Sequence, residues 1–195
     1  MRKIIIFSIL FLLQTLNTYA DSEQKINRIV VGDNNAKITI IAYESLTCSH
    51  CADFHINIFP KLKKEFIDTG IVRIEFRHFP LDVAALNASK ISQCRNDGKS
   101  NILNNLFLNQ SRWIKGKSID EVNENLKKFL DTENIQVDFN KCITNKVIED
   151  FVLNDRIEGV QKFKVNATPT IIINDKKFEK TLNYKNLKKT LEKLI

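Results

Sequence analysis

Residues 37–51 read Lys37-Ile-Thr-Ile-Ile-Ala-Tyr43-Glu44-Ser-Leu-Thr-Cys48-Ser-His-Cys51. The first seven are rich in β-branched and apolar residues and predict a buried strand. From Cys51 the pattern turns helical, with Phe54, Ile58, Leu62 and Phe66 on one face. Pro60 falls inside that pattern and predicts a kink or break near Phe59. Gly70 closes the helix. Two cysteines separated by two residues therefore sit at a strand-to-helix junction.

The flanking chain completes a sheet. Ile71 to Arg77 alternates apolar and charged residues, a second strand, and His78-Phe79-Pro80 ends it. Residues 81 to about 164 read as helical throughout. Asp82 can cap a helix ending at Gly98, and Ser100 can start another that turns Leu103, Leu106 and Phe107 to a core. Ser118-x-x-Glu121 is a capping box before Val122, Leu126 and Leu130. Phe139 to Asn145 forms a short helix, and Val147, Phe151, Ile157 and Val160 mark a longer one. Asn166 to Thr170 breaks the pattern, and Ile171 to Ile173 is a strand. Asn174-Asp175 is a hairpin turn, and Lys177 to Glu179 its return. Tyr184 to Leu194 closes the chain as an amphipathic helix. The order predicts an α/β fold: a mixed sheet of four strands or slightly more, helices on both faces, and a helical insertion over about residues 81–160.

Composition fits one globular domain. The chain has 195 residues, 43% hydrophobic and 27% charged, which is too apolar for disorder. With only 5 Gly and 3 Pro, low-complexity and linker-rich readings are excluded. The net charge of +7 comes from scattered residues, and no aromatics interleave with Lys61, Lys63 and Lys64, Lys176-Lys177 or Lys188-Lys189. That describes a solvated basic surface and predicts no nucleic-acid partner. Residues 1–20 combine Arg2 and Lys3, an apolar run from Ile4 to Leu13, and small Thr18 and Ala20 before Asp21. This is the pattern of a secretory signal peptide, expected to be cleaved, with a retained anchor as the alternative. The run is shorter than the ~17–25 residues of a membrane span. Export places Cys48, Cys51, Cys94 and Cys142 in an oxidising compartment, where three pairings are open to them.

The junction dictates the chemistry of Cys48. The first turn of a helix has unpaired N–H groups and partial positive charge, so it favours an anion. With Thr47 as a cap, a Cys48 thiolate would face the amides of His50 and Cys51, and a protonated His50 would add charge nearby. The pKa of Cys48 is expected below the free value. A stabilised dithiol makes the disulfide an electron acceptor. Cys51, deeper in the helix, would be the shielded resolving thiol. The competing readings are a zinc site on Cys48, Cys51 and His55, for which no fourth ligand is evident, and a plain structural disulfide. Further on, Ala167-Thr168-Pro169-Thr170 precedes a strand. A cis Thr168–Pro169 bond there would set the Thr168 backbone beside Cys48. The free edge of Thr168 could then pair with an extended client segment.

Leu46-Thr-Cys-Ser-His-Cys-Ala-x-Phe54-His55, followed by Phe76-Arg-His-Phe-Pro-Leu81, a helical insertion and Ala167-Thr-Pro-Thr170, resembles the DsbA family of thiol:disulfide oxidoreductases, its alphaproteobacterial branch in particular. The likeness covers about residues 30–195. It implies a thioredoxin-like fold, with Cys48 as nucleophile and Cys51 as its partner. Ser49 and His50 would tune the potential, and Thr168 and the cis-proline Pro169 would meet the client. It implies no cofactor beyond the Cys48–Cys51 disulfide and no metal. The partners it implies are reduced, unfolded or folding exported proteins and a DsbB-like membrane reoxidant, with the protein a periplasmic monomer. Family members often carry a buried acid six positions before the first cysteine, where this chain has Ala42. Glu44, four before, is either a proton relay or an exposed strand-end carboxylate. His55 and His78 read as surface or satisfied polar groups. Trp113 and the phenylalanines of the insertion read as core rather than as a client groove. Cys94 and Cys142, both on predicted helices, are paired as a structural disulfide, in line with relatives that carry a second one; the alternative is two buried free thiols. The function expected is an exported dithiol oxidase. A reductase or isomerase on the same fold is the alternative, and the roughly 16 mature residues before the first strand leave no room for an N-terminal dimerisation domain. A metal- or peptide-binding module comes third.

Overall fold

A computed structural model describes residues 25–195. The stretch 1–20, expected to be a signal peptide, lies outside the described residues. Among the described residues the sheet has five strands in the order β1-β3-β2-β4-β5: β1 (Ile29–Val31), β2 (Ile38–Glu44), β3 (Val72–His78), β4 (Thr170–Ile173) and β5 (Lys176–Lys177). β2 and β3 run parallel, joined by the helical run α1 (residues 49–67); every other pairing is antiparallel. The fifth strand, β1, escapes the sequence pattern because three residues are too few to show alternation. It pairs Val30 with Glu75 at the outer edge of β3.

α1 does not break at Pro60. It widens instead, with i→i+5 turns over Phe54–Ile58 and Lys63–Ile67 on either side of an α-helical turn, Phe59–Leu62. Pro60 stands in the first turn of that middle piece, where the chain passes from the first widened stretch to the α-helical turn. The remaining helices are α2 (Val83–Gln93), α3 (Asn101–Leu108), α4 (Gln110–Trp113), α5 (Ile119–Thr132), α6 (Phe139–Thr144), α7 (Lys146–Phe163) and α8 (Tyr184–Leu191). Side-chain oxygens cap five of them: Asp82, Ser118, Asp138, Asn145 and Asn183 each accept a backbone N–H of the first turn. Glu121 completes its box one residue early, accepting from the Lys117 amide rather than from that of Ser118. The β4–β5 hairpin turns through Asn174 and Asp175, both at positive φ, as a tight two-residue turn requires.

The insertion shares the core of the sheet. Ile38, Ile40 and Ala42 of β2 and Phe54, Ile58 and Leu62 of α1 join Leu103, Leu106, Phe107 and Trp113 in one apolar cluster. Trp113 is fully buried and its Nε1 donates to Leu106 O, so it lines no groove. On the other face Ile41, Tyr43 and Ile172 meet Phe79, Phe163 and Val165. α7 covers this face with a stripe other than the one its apolar residues suggest. Val147, Ile157 and Val160 are exposed, while Ile148, Val152, Asp155, Gly159 and Phe163 face inward. Gly159 sets the approach, because a Cβ there would lie 2.8 Å from the Tyr43 ring. Asp155 pairs with Arg28 and accepts from the His78 amide, so a buried charge takes the place of an apolar contact.

Candidate active site

β2 delivers Cys48 to the mouth of α1. Cys48 is itself the N-cap residue, extended at φ −81° and ψ 120°, and no side chain caps the helix. Thr47 does not cap; its hydroxyl donates to Asp82 Oδ2 at 2.7 Å, tying the loop to the start of α2. The Cys48 carbonyl takes the amides of Cys51 and Ala52, at 3.1 and 3.2 Å. Gln110 of α4 then clamps the loop from above. Its Nε2 donates to Leu46 O at 2.8 Å and to Cys48 O at 3.1 Å, so the insertion holds the backbone on which the reactive sulfur stands. Nothing in the local pattern around Gln110 marks it; only the tertiary approach of α4 does.

The two sulfurs have opposite surroundings. Cys48 is half-buried and its pKa falls from 9.0 to about 5. The largest cause is a hydrogen bond from the Cys51 thiol, followed by the Thr168 hydroxyl and the amides of Cys51 and His50; partial burial opposes them. Thr168 Oγ1 is buried with no other partner among the described residues, which leaves the thiolate as its acceptor. In the thiol form Cys48 Sγ can instead donate to Thr168 O at 3.2 Å. The peptide bond between Thr168 and Pro169 is cis. Burial pushes the Cys51 thiol far up, and the neighbouring Cys48 sulfur and Glu44 charge add to the effect. Ser49 and His50 stand exposed between them. His50 contributes its backbone amide to the thiolate, as the helix-terminus reading expects; its imidazole is not among the groups that lower Cys48.

A pH dependence follows with a definite sign. Cys48 has a lower pKa folded than unfolded, so it stabilises the reduced fold above the unfolded value of about 9 and stops doing so as pH falls through about 5. Between those limits the reduced form should lose stability, relative to the oxidised form, by at most about 1.4 kcal/mol per pH unit on acidification. Above about 9 the raised pKa of Cys51 works the other way, as the unfolded chain releases that proton first. Denaturant unfolding of both redox forms across this range checks it; parallel curves would contradict the thiolate assignment.

Glu44 is not the exposed carboxylate that its strand-end position suggests. It is 3% exposed, and Oε2 meets His55 Nε2 at 2.9 Å. Burial raises its pKa and the His55 contact opposes the rise. His55, also buried, approaches Asn104 Oδ1 with Nδ1 at 3.1 Å. His78 is buried as well, and desolvation lowers it to about 4. The spacing of Glu44 and His55, eleven residues apart across the strand-to-helix turn, carries no sequence signal of contact. Cys94 and Cys142 are bonded to each other away from this cluster, joining the end of α2 to α6 with Cα atoms 5.5 Å apart.

Comparison with known proteins gives a consistent picture. Residues 24–193 match the family Thioredoxin_4, described as Thioredoxin. Disulfide bond formation protein D of Bacillus subtilis (strain 168) is 29% identical over 181 residues, covering 84% of this chain and 75% of that protein. A Rickettsia bellii protein named as a protein-disulfide oxidoreductase is 29% identical over 152 residues; the chain spans 57% of its length. The crystal structure of Wolbachia pipientis alpha-DsbA1 is 34% identical with a TM-score of 0.76, covering 86% of this chain and 90% of that one. With a thioredoxin sheet, a Cys-x-x-Cys at the first helix N-terminus and this degree of likeness, the chain belongs to the DsbA family of thiol:disulfide oxidoreductases.

Proposed function

We propose that this chain is an exported dithiol oxidase that passes its Cys48–Cys51 disulfide to reduced, unfolded or folding proteins of the periplasm. The observation that carries the reading is the asymmetry of the two sulfurs: an accessible Cys48 with a pKa near 5 and a sealed Cys51 pushed far up. A client thiolate attacks Cys48 Sγ, the intramolecular S–S bond breaks, and its electron pair goes to Cys51 Sγ, which takes a proton. A second client thiolate then attacks the client sulfur of the mixed disulfide. Cys48 leaves readily as a thiolate, because a low-pKa thiol is the better leaving group. Glu44, buried near Cys51, supplies the proton. Thr168 and Pro169 frame the sulfur, and the Thr168 backbone takes the client as an added strand. Ser49 and His50 tune the couple through the backbone of the first turn. A DsbB-like membrane protein reoxidises the pair, and no other cofactor or metal takes part. The protein works as a monomer. Cys94–Cys142 is structural.

A glutathione redox titration tests the direction of electron flow. Each pKa unit of Cys48 below ambient pH raises the potential by about 30 mV. A value well above about −200 mV agrees with an oxidase, and one near about −270 mV would assign the chain to disulfide reduction or isomerisation instead.

A further inference from the structure

The step at Cys51 needs a proton that moves in both directions, and one buried contact has no place in the sulfur chemistry above. His55 lies one turn along α1 from Cys51 and is packed among Phe54, Phe59, Phe76 and Phe107, stacked on the last at 4.2 Å and 16°. Both ring nitrogens are engaged. An amide oxygen only accepts, so Nδ1 bears hydrogen and donates to Asn104 Oδ1. The contact between Nε2 and Glu44 Oε2 therefore holds one proton, on the nitrogen or on the oxygen. Glu44 Oε1 is buried with no partner among the described residues.

We propose that His55 is a positioning residue that makes Glu44 a two-way proton carrier for Cys51, an inference that rests on the exchange reading above. In ring opening, the incoming thiolate bonds to Cys48 Sγ, the electron pair of the broken S–S bond goes to Cys51 Sγ, and the Glu44 carboxyl gives that sulfur its proton. In ring closing, Cys51 hands its proton to the Glu44 carboxylate as its sulfur attacks Cys48, and the departing thiolate keeps the electron pair. A carboxyl buried without a cationic partner stays protonated and serves ring opening alone. Hydrogen bonding through Nε2 makes the carboxylate attainable, so the same group also serves ring closing. The other titratable groups around Glu44 are Cys48 at the N-cap of α1, charged at neutral pH in the reduced protein, Cys51 on α1, and His78 at the paired position of β3, which is neutral there; α3 contributes the uncharged amide of Asn104.

The test runs both half-reactions with oxidised and reduced glutathione across neutral pH, which makes it independent of the physiological direction. Wild type, His55→Phe, Glu44→Gln and the double variant are compared. Phenylalanine suits the aromatic pocket and removes both nitrogens, with a ring one atom larger. His55→Phe should displace the ring-closing pH profile upward by about one unit, slowing closure about tenfold at neutral pH. Ring opening should change little, and on the Glu44→Gln background His55→Phe should do nothing further. Equal losses in both half-reactions, or an undiminished effect without the carboxyl, would reduce His55 to packing. If His55→Phe does not fold by circular dichroism, Asn104→Ala takes its place and must show the same one-sided displacement. A wild type inert toward glutathione would instead overturn the exchange reading itself, and that is seen before any variant is compared.

Discussion

The Cys48→Ser protein should transfer no disulfide. A hydroxyl cannot hold the negative charge that the first turn of α1, the Cys51 thiol and the Thr168 hydroxyl stabilise on sulfur, and oxygen forms no exchangeable bond to a client cysteine. Oxidation of a reduced dithiol peptide should fall to the uncatalysed background. Cys51→Ser should behave differently: it keeps the attacking sulfur but removes the resolving one, so a mixed disulfide on Cys48 should persist and appear as added mass. Turnover by the Cys48→Ser protein would place the nucleophile elsewhere.

Loss of the second disulfide should give the largest effect on stability. Cys94 and Cys142 are separated by 48 residues. Closing a loop of that length constrains the unfolded chain by about 4 kcal/mol on the chain-entropy account. The bridge ties the end of α2 to α6, and the Cys142 side chain is buried in the main core. Replacing both residues by alanine should lower the denaturant midpoint accordingly and leave thiol exchange intact, because neither sulfur touches the Cys48 loop. Alkylation of the unfolded, fully oxidised protein followed by mass measurement should find no reactive thiol. Two labelled cysteines would remove the bridge from the account.

Local rules carry far in this chain. The β2–α1 junction, the capping oxygens of Asp82 and Ser118 and the turn at Asn174-Asp175 are each set by a few adjacent residues, and each is legible in the sequence. What escaped it depends on distant approach. Glu44 looks like a strand-end carboxylate until α1 and α3 bring His55 and Asn104 against it. Gln110 looks like an ordinary surface amide until α4 seats it over Leu46 and Cys48. α7 misled because its inward stripe replaces apolar bulk with Gly159 and a paired Asp155, so counting hydrophobic residues selects the wrong face. Thr47 reads as a cap by type, yet Asp82 competes for its hydroxyl across a gap of 35 residues.

The two widened turns of α1 act as a phase slip along its axis. A uniform 3.6-residue repeat rotates each successive side chain by about 100°, and an i→i+5 turn spreads the same revolution over more chain. Phe54 and His55 are chain neighbours, yet both point indoors, one to the apolar interior and the other to a carboxylate. A homologue with one residue fewer between positions 54 and 58 would have to choose between them. The length of that short stretch is thus a spelling constraint: lineages that trim it would have to find the imidazole, or do without it, some other way.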